Sequence, residues 1–125
     1  MKATNAKIPV VVVFAPTATG KTALVCRLFG RSSHSFFKGK GQVISADSMQ
    51  VYRGMNIGTA KPDSILLDDL YHHLIDLRSP KEQFTAAEFV SLADKACQEI
   101  YAKGMIPVMA GGTGFYIRNF LCGLP

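Results

Sequence analysis

The architecture of this chain follows from one segment, Ala15-Pro16-Thr17-Ala18-Thr19-Gly20-Lys21-Thr22. The residues before it, Val10 to Phe14, include consecutive β-branched side chains and predict a strand buried on both faces of a parallel sheet. The residues after it, Thr22 to Phe29, have apolar side chains at helical spacing and predict a helix that packs Leu24, Val25, Leu28 and Phe29 on the sheet. A Gly-Lys-Thr sequence between a strand and a helix is typical of a phosphate-binding loop, the P-loop.

Three residues would carry the chemistry of this loop. Gly20 allows successive backbone amides to converge on an anion at the start of the helix. Lys21 would meet the phosphate charge, and the Thr22 hydroxyl can bind a Mg²⁺ ion that bridges two phosphates. Ala15 stands where the strict motif has glycine, a change that looser forms of the motif accept. The competing interpretation is a chance Gly-Lys-Thr at an ordinary helix start.

The composition limits the class of protein. With 125 residues and 48% hydrophobic content, the chain is expected to form one domain, residues 1–125, with a real core. No apolar run approaches the roughly 20 residues needed to cross a bilayer, so no membrane is expected. The cysteines are few, odd in number and far apart, which favours a reducing cytoplasm over a disulfide framework: Cys26, Cys97 and Cys122. A net charge of +5 favours an anionic partner and permits nucleic acid.

The connector from Arg31 to Gly41 leaves two interpretations open. It interleaves two aromatic residues with basic ones: Arg31, His34, Phe36, Phe37, Lys38 and Lys40. Such a combination could grip RNA by charge and stacking. The alternative, which the sequence favours, is a solvated connector that its two Phe side chains pin to the core.

A second short strand, Gln42 to Ala46, leads into Asp47. Open α/β sheets place their ligand crevice at the carboxyl ends of the strands, so Asp47 should face the phosphate loop. The carboxylate could hold Mg²⁺ through water, cap the following turn of helix or act as a general base, and spacing alone favours capping. Ser48 and Gln50 offer further polar groups near the same crevice.

The middle of the chain contributes weaker candidates. Lys61 could reach a phosphate, and Asp76, after a possible third strand at Tyr71 to Asp76, is a lesser Mg²⁺ candidate. His72 and His73 are adjacent on that strand and would point to opposite faces, which makes a poor metal pair. We therefore interpret both histidines as structural.

The last third of the chain predicts helix, strand and helix. Thr85 to Glu88 form a capping box that opens a helix ending at Gly104. Its expected buried stripe is Phe89, Leu92, Ala93, Ala96, Ile100 and Tyr101. A buried strand from Ile106 to Ala110 then leads through Gly111-Gly112-Thr113-Gly114 into an apolar helix, Phe115 to Leu121.

Two interpretations of the glycine-rich turn remain open. It could bring the Thr113 hydroxyl to a ligand in the phosphate loop, or it could be a tight connection without a ligand. Strands that alternate with helices predict an α/β fold, a P-loop NTPase-like, mainly parallel sheet with flanking helices.

In this order of motifs the chain resembles the tRNA dimethylallyltransferases, also called tRNA isopentenyltransferases. Six motifs carry the resemblance and span nearly the whole sequence: Pro16 to Thr22, Asp47-Ser48-Met49-Gln50-Val51-Tyr52, Gly58-Thr59-Ala60-Lys61-Pro62, His72-His73-Leu74-Ile75-Asp76, Phe84-Thr85-Ala86-Ala87-Glu88-Phe89 and Gly111-Gly112-Thr113-Gly114-Phe115-Tyr116. Six motifs in series are far more specific than a lone P-loop.

The resemblance implies an activity and a set of roles. A dimethylallyl group would pass from dimethylallyl diphosphate to the exocyclic amine of an adenosine beside the tRNA anticodon. The P-loop, Ala15 to Thr22, would then hold the diphosphate leaving group, with Thr17 on the departing oxygen, Lys21 on the developing charge and Mg²⁺ beside Thr22. Asp47 would be the general base. The residues implied to touch tRNA are Asp47, Ser48, Met49, Gln50 and Thr113.

The family's members are much longer than 125 residues, so we interpret this chain as their amino-terminal part. An incomplete sheet should leave one edge strand open and favour self-association. Three other functions compete with the family's activity. They are prenylation of a free nucleotide by an adenylate isopentenyltransferase, a P-loop kinase activity, and diphosphate binding without turnover by a truncated remnant.

Overall fold

A computed structural model describes residues 8–14, 21–48, 50–53 and 64–122. Strands alternate with helices along these residues, as the sequence predicts. The elements are β1 Val11–Phe14, α1 Lys21–Phe29, β2 Gly41–Ser45, α2 Ser64–Asp69, β3 His72–His73, α3 Ala86–Ala102, β4 Ile106–Gly111 and α4 Gly114–Cys122.

The strands form a four-stranded sheet in the order β1-β4-β2-β3. Every neighbouring pair is parallel. β4, the last strand in sequence, lies between β1 and β2, so the connection from β1 to β2 crosses over β4. The α/β class and the mainly parallel sheet are therefore confirmed.

The core lies on both faces of the sheet because successive strand residues point to opposite sides. Val43 and Val108 pack with the buried residues of α1, whereas the next residue on each strand, Ile44 and Met109, packs with α3 and α4. All four side chains are almost fully buried. The middle residues of the two central strands are thus apolar towards both faces, as expected for a sheet covered on both faces.

The prediction that the first strand is fully buried is wrong. Val11 is 37% exposed and Phe14 is 58% exposed, although Val12 and Val13 each pack against one of the two core clusters. In the part of the chain that the structure describes, β1 pairs with β4 alone and is an edge strand. β-branched residues favour a strand but do not decide whether that strand lies at the centre or the edge.

Two residues of the predicted helix stripes also face solvent. Leu24 of α1 and Tyr101 of α3 are each 49% exposed, whereas Cys97 of α3, absent from the predicted stripe, is buried. The capping box is confirmed, since the Thr85 hydroxyl accepts from the backbone N–H of Glu88 and the Glu88 carboxylate accepts from that of Thr85. These contacts satisfy two backbone N–H groups at the start of α3.

The third strand is shorter than the sequence suggests. It consists of His72–His73, and the backbone then turns, with positive φ at Leu74 (68°) and Asp76 (58°). The chain next runs beside the turn after β2, where the backbone N–H of Asp76 donates to the Gln50 carbonyl. Residues 50–53 are a turn and bridge, not the expected turn of helix.

The cysteines form no disulfide. Cys26 is half-buried, Cys97 is buried and Cys122 is exposed. Burial and the nearby Asp94 carboxylate raise the pKa of Cys97 to about 11, which keeps its thiol protonated at neutral pH. None of the helices described is long and apolar enough to span a membrane.

Candidate functional site at the carboxyl edge of the sheet

Three strands end level with one another beside the phosphate-loop sequence. The register pairs Phe14 of β1 with Gly111 of β4, and Ala110 of β4 with Ser45 of β2. Residues 15–20 lie outside the described residues, but β1 ends directly before them and α1 begins directly after them, at Lys21. The strand and the helix that flank a P-loop are therefore both present, and the turns after β4 and β2 leave the sheet at the same edge as the end of β1.

Asp47 follows β2 at this edge and is only 8% exposed. Its Oδ1 accepts a hydrogen bond from the backbone N–H of Gln50 (3.1 Å). This is the capping contact that the spacing favours, and it also holds the carboxylate in one orientation. The side-chain Oε1 of Gln50 accepts from the Ser45 hydroxyl (2.9 Å) in the buried interior, so the turn is anchored at both ends.

Thr113 joins the glycine-rich turn after β4 to the turn after β2, which carries Asp47. Its Oγ1 accepts from the backbone N–H of Ser48 (2.9 Å), and its own N–H donates to the Ala46 carbonyl (3.1 Å). Its carbonyl accepts the first backbone hydrogen bond of α4, from Tyr116. One residue thus ties the start of α4 to the segment that carries Asp47.

The turn after β4 begins with Gly111 because a side chain would not fit at this position. A Cβ at this position would lie 2.1 Å from the Ala46 carbonyl oxygen, and the next two nearest atoms are also Ala46 backbone. The requirement is space, because no neighbouring side chain could move away. The glycine therefore serves the tight connection of the second interpretation, and the Thr113 hydroxyl accepts from the Ser48 N–H.

Tyr116 lies near Asp47 but is not among the site residues predicted from the sequence. Its ring is buried, stacks on Phe89 (centroids 4.7 Å apart, planes at 15°) and meets Phe84 edge-on. Burial raises the pKa of the Tyr116 hydroxyl, and the nearby Tyr52 hydroxyl and Asp47 carboxylate add to the effect. A neutral phenol therefore lies close to the carboxylate. Its position three residues after Thr113, in the first turn of α4, was the available signal.

The weaker candidates that the structure describes lie on β3 or follow it. Asp76 is exposed, and its backbone N–H donates to the Gln50 carbonyl (3.0 Å), so this residue lies beside the turn that carries Asp47. His72 and His73 are structural, as predicted: Nδ1 of His72 bonds the Leu70 carbonyl, and Nε2 of His73 bonds Oε1 of Gln42, each at 2.8 Å. Burial lowers the pKa of both rings, which favours their neutral forms.

Several predicted site residues lie outside the part of the chain that the structure describes. They are Thr17, Met49 and Lys61, together with the loop residues Ala15, Pro16, Ala18, Thr19 and Gly20. The structure thus brings together Asp47, Ser48, Gln50 and Thr113, and the backbone of α1 begins at Lys21. Within the described ranges, no three His, Cys, Asp or Glu side chains form a group that could hold a metal ion by themselves.

Comparisons with known proteins agree on one family. Residues 50–125 match the family model described as IPP transferase. The tRNA dimethylallyltransferase of Bacillus pumilus is 47% identical over 115 residues, which cover 92% of this chain and 34% of the relative. The tRNA dimethylallyltransferase 1 of Syntrophotalea carbinolica is 48% identical over 116 residues, with 93% and 35% covered. The chain therefore spans about a third of the length of these curated relatives.

Solved structures give the same result. The full-length tRNA isopentenylpyrophosphate transferase of Bacillus halodurans superposes with a TM-score of 0.78 at 42% identity, over 94% of this chain and 37% of that one. A eukaryotic dimethylallyltransferase acting on tRNA superposes with a TM-score of 0.76 at 27% identity, over 90% and 26%. Sequence, family model and fold thus converge, and the chain belongs to the IPP transferase family, whose amino-terminal part it matches.

Proposed function

We propose that this chain is the phosphate-loop part of a tRNA dimethylallyltransferase, a prenyltransferase. The substrates are dimethylallyl diphosphate and the exocyclic N6 amine of an adenosine beside the tRNA anticodon. The amine nitrogen forms a bond to the allylic carbon, the carbon–oxygen bond to diphosphate breaks, and the bonding pair leaves with diphosphate. The proton that the amine loses passes to the Asp47 carboxylate.

The observation that carries the proposal is the hydrogen bond from the Ser48 N–H to Thr113 Oγ1. It joins the turn that carries Asp47 to the turn after β4, and β4 is the neighbour of β1, from which the phosphate loop leaves. The strands that lead into the loop and into Asp47 flank β4, two strand spacings or about 10 Å apart, so the base and the diphosphate site can face one substrate from opposite sides. The bond from Gln50 N–H to Asp47 Oδ1 fixes the direction of the carboxylate.

Diphosphate would lie in the loop from Ala15 to Thr22. Lys21 and the amides at the start of α1 stabilise the negative charge that develops as the carbon–oxygen bond breaks, and Thr17 contacts the departing oxygen. Mg²⁺ suits this donor set, because it usually keeps several waters and binds one or two protein oxygens together with substrate phosphates. Thr22 is the protein ligand that the motif supplies, and the ion would add positive charge between the two phosphates.

The tRNA would approach the turn after β2. Ser48, Met49, Gln50 and Thr113 are the residues that the family pattern assigns to it, together with Asp47. The target adenosine must leave its stack for its amine to reach the carboxylate. Because tRNA is the acceptor, we place this activity in the cytoplasm.

A transfer assay tests the proposal directly. Radiolabelled dimethylallyl diphosphate and Mg²⁺ are offered to the purified chain with unmodified tRNA or with AMP, in parallel. Label on tRNA supports the proposal. Label on AMP alone would assign an adenylate isopentenyltransferase, and diphosphate binding without label on either acceptor would assign a remnant that no longer turns over.

Two variants separate the roles of the residues. Lys21→Ala should abolish binding of diphosphate with Mg²⁺ in calorimetry, and equal binding by parent and variant would refute the loop assignment. Asp47→Asn keeps the capping oxygen and the size of the side chain, so its melting temperature should stay within about 4 °C of the parent. Transfer should be lost in this variant, and retained transfer would leave Asp47 with the capping role alone.

A further inference from the structure

The loop of residues 31–40, at the opposite edge of the sheet, is held in one conformation by many hydrogen bonds. The Ser32 N–H donates to the Asp69 carboxylate (2.7 Å), the Gly39 N–H to the Phe29 carbonyl (2.9 Å) and the Ile106 N–H to the Lys40 carbonyl (2.7 Å). These contacts reach α2, α1 and β4 respectively. Within the loop, serine hydroxyls bridge further backbone groups. The loop is therefore a preformed surface.

The two phenylalanines of this loop have different environments. Phe37 packs on Phe29 of α1 (centroids 5.8 Å apart) and is 39% exposed. Phe36 touches Phe37 edge-on at 5.3 Å and is 78% exposed. Phe37 thus anchors the loop, as the connector interpretation requires, but Phe36 is directed into solvent. An ordered loop that holds an aromatic ring outward suits a stacking partner.

A positive charge lies against one face of the Phe36 ring. Lys40 Nζ lies 4.1 Å from the centroid of the Phe36 ring, and Lys38 and Arg31 belong to the same loop. Residues 31–40 contain no acidic side chain, and the Asp69 carboxylate beside the loop already accepts from Ser32. An exposed aromatic face flanked by cations matches a nucleobase with its neighbouring phosphates.

We propose that residues 31–40 form a binding surface for single-stranded RNA, with a base stacked on Phe36 and phosphates paired with Lys38, Lys40 and Arg31. This surface lies at the opposite edge of the sheet from the proposed transfer site. Residue 41 begins β2 and Asp47 follows its end, so the five residues of the strand separate the two sites by about 15 Å. The proposal does not depend on transfer, and its test needs neither dimethylallyl diphosphate nor an acceptor adenosine.

Fluorescence anisotropy of a labelled 12-nucleotide single-stranded RNA, titrated with the chain at several KCl concentrations, tests the surface. Phe36→Ala should weaken binding by about 5- to 150-fold, the range that loss of one stacked base produces. Lys38→Ala and Lys40→Ala should each lower the slope of log Kd against log salt by about 0.7, the value for one phosphate contact in single strands. The matched control Lys95→Ala, an exposed lysine on α3, should leave the slope unchanged.

A second pair of variants distinguishes stacking from apolar contact. Phe36→Trp keeps a π face and should retain RNA binding, whereas Phe36→Leu keeps an apolar side chain and should lose it. Retained binding in Phe36→Leu, or no effect of Phe36→Ala, would overturn the proposal, as would no binding of RNA at low salt. Because Phe36 is 78% exposed, none of these changes should lower the melting temperature, which is measured on the same samples. Diphosphate binding by Phe36→Ala should equal that of the parent, so failure of one site is distinguished from failure of the other.

Discussion

Replacing Gly111 by alanine should destabilise the protein and distort the edge of the sheet that carries Asp47. The added Cβ would lie 2.1 Å from the Ala46 carbonyl oxygen, whereas close carbon–oxygen contacts in proteins begin at about 3.3 Å. β4 and the end of β2 must therefore separate by about 1 Å. All three of the nearest atoms are backbone atoms of Ala46, so no side-chain rotation can relieve the contact.

The magnitude follows from the cost of inserting a methyl group into a closely packed region, about 1 to 3 kcal/mol. For a chain of this length, 1 kcal/mol corresponds to about 4 °C in the melting temperature, so a decrease of roughly 4 to 12 °C is expected. The separation also strains the hydrogen bond from the Thr113 N–H to the Ala46 carbonyl, which ties α4 to the Asp47 segment.

Thermal unfolding followed by circular dichroism measures this effect, with Gly114→Ala as the matched control. A Cβ at Gly114 would lie 3.3 Å from Cζ of Phe14, whose exposed ring can move, and alanine is a better helix former than glycine by up to about 1 kcal/mol. The control should melt at the parent temperature or slightly above it. If Gly111→Ala melts within 2 °C of Gly114→Ala, the close approach of β4 to Ala46 is not as the structure has it.

Three further predictions concern other parts of the fold. Thr113→Val removes the acceptor for the Ser48 N–H and should lower the melting temperature by about 4 °C or more, whereas Thr113→Ser should melt like the parent; coincident melts of the two variants would refute the contact. Burial lowers the pKa of His72, so the folded state favours the neutral ring. The stability that this ring contributes is present above its ordinary pKa of 6.5 and is lost as the pH falls through the lower pKa of the folded state. The melting temperature should therefore fall between pH 7.5 and pH 5, and it should fall less in His72→Gln. The exposed edge strand β1 should support self-association, seen as a concentration-dependent sedimentation coefficient that Val11→Lys abolishes; a monomer at every concentration would contradict it.

Local features were predictable from the sequence wherever short-range chemistry decides them. The capping box at Thr85 and Glu88 was predicted and confirmed, because its two hydrogen bonds involve residues three positions apart. The histidines were correctly interpreted as structural because adjacent strand residues point to opposite faces. The stripes of α1 and α3 were only partly correct, since the width of a buried face depends on what packs against it: Leu24 and Tyr101 are exposed and Cys97 is buried.

The sequence by itself determined the element order, the parallel α/β class, the family and the set of candidate residues, because periodicity and motif spacing are properties of the chain alone. Only the tertiary structure decided where those elements lie. It placed β4 between β1 and β2, made β1 an edge strand of the described sheet and ended β3 at His73, where the backbone turns. It also packed Phe37 on Phe29 while leaving Phe36 exposed, and it brought Thr113 to Ser48, 65 residues away in sequence. Such contacts depend on strand order and on backbone approach, and neither is encoded in any local run of residues.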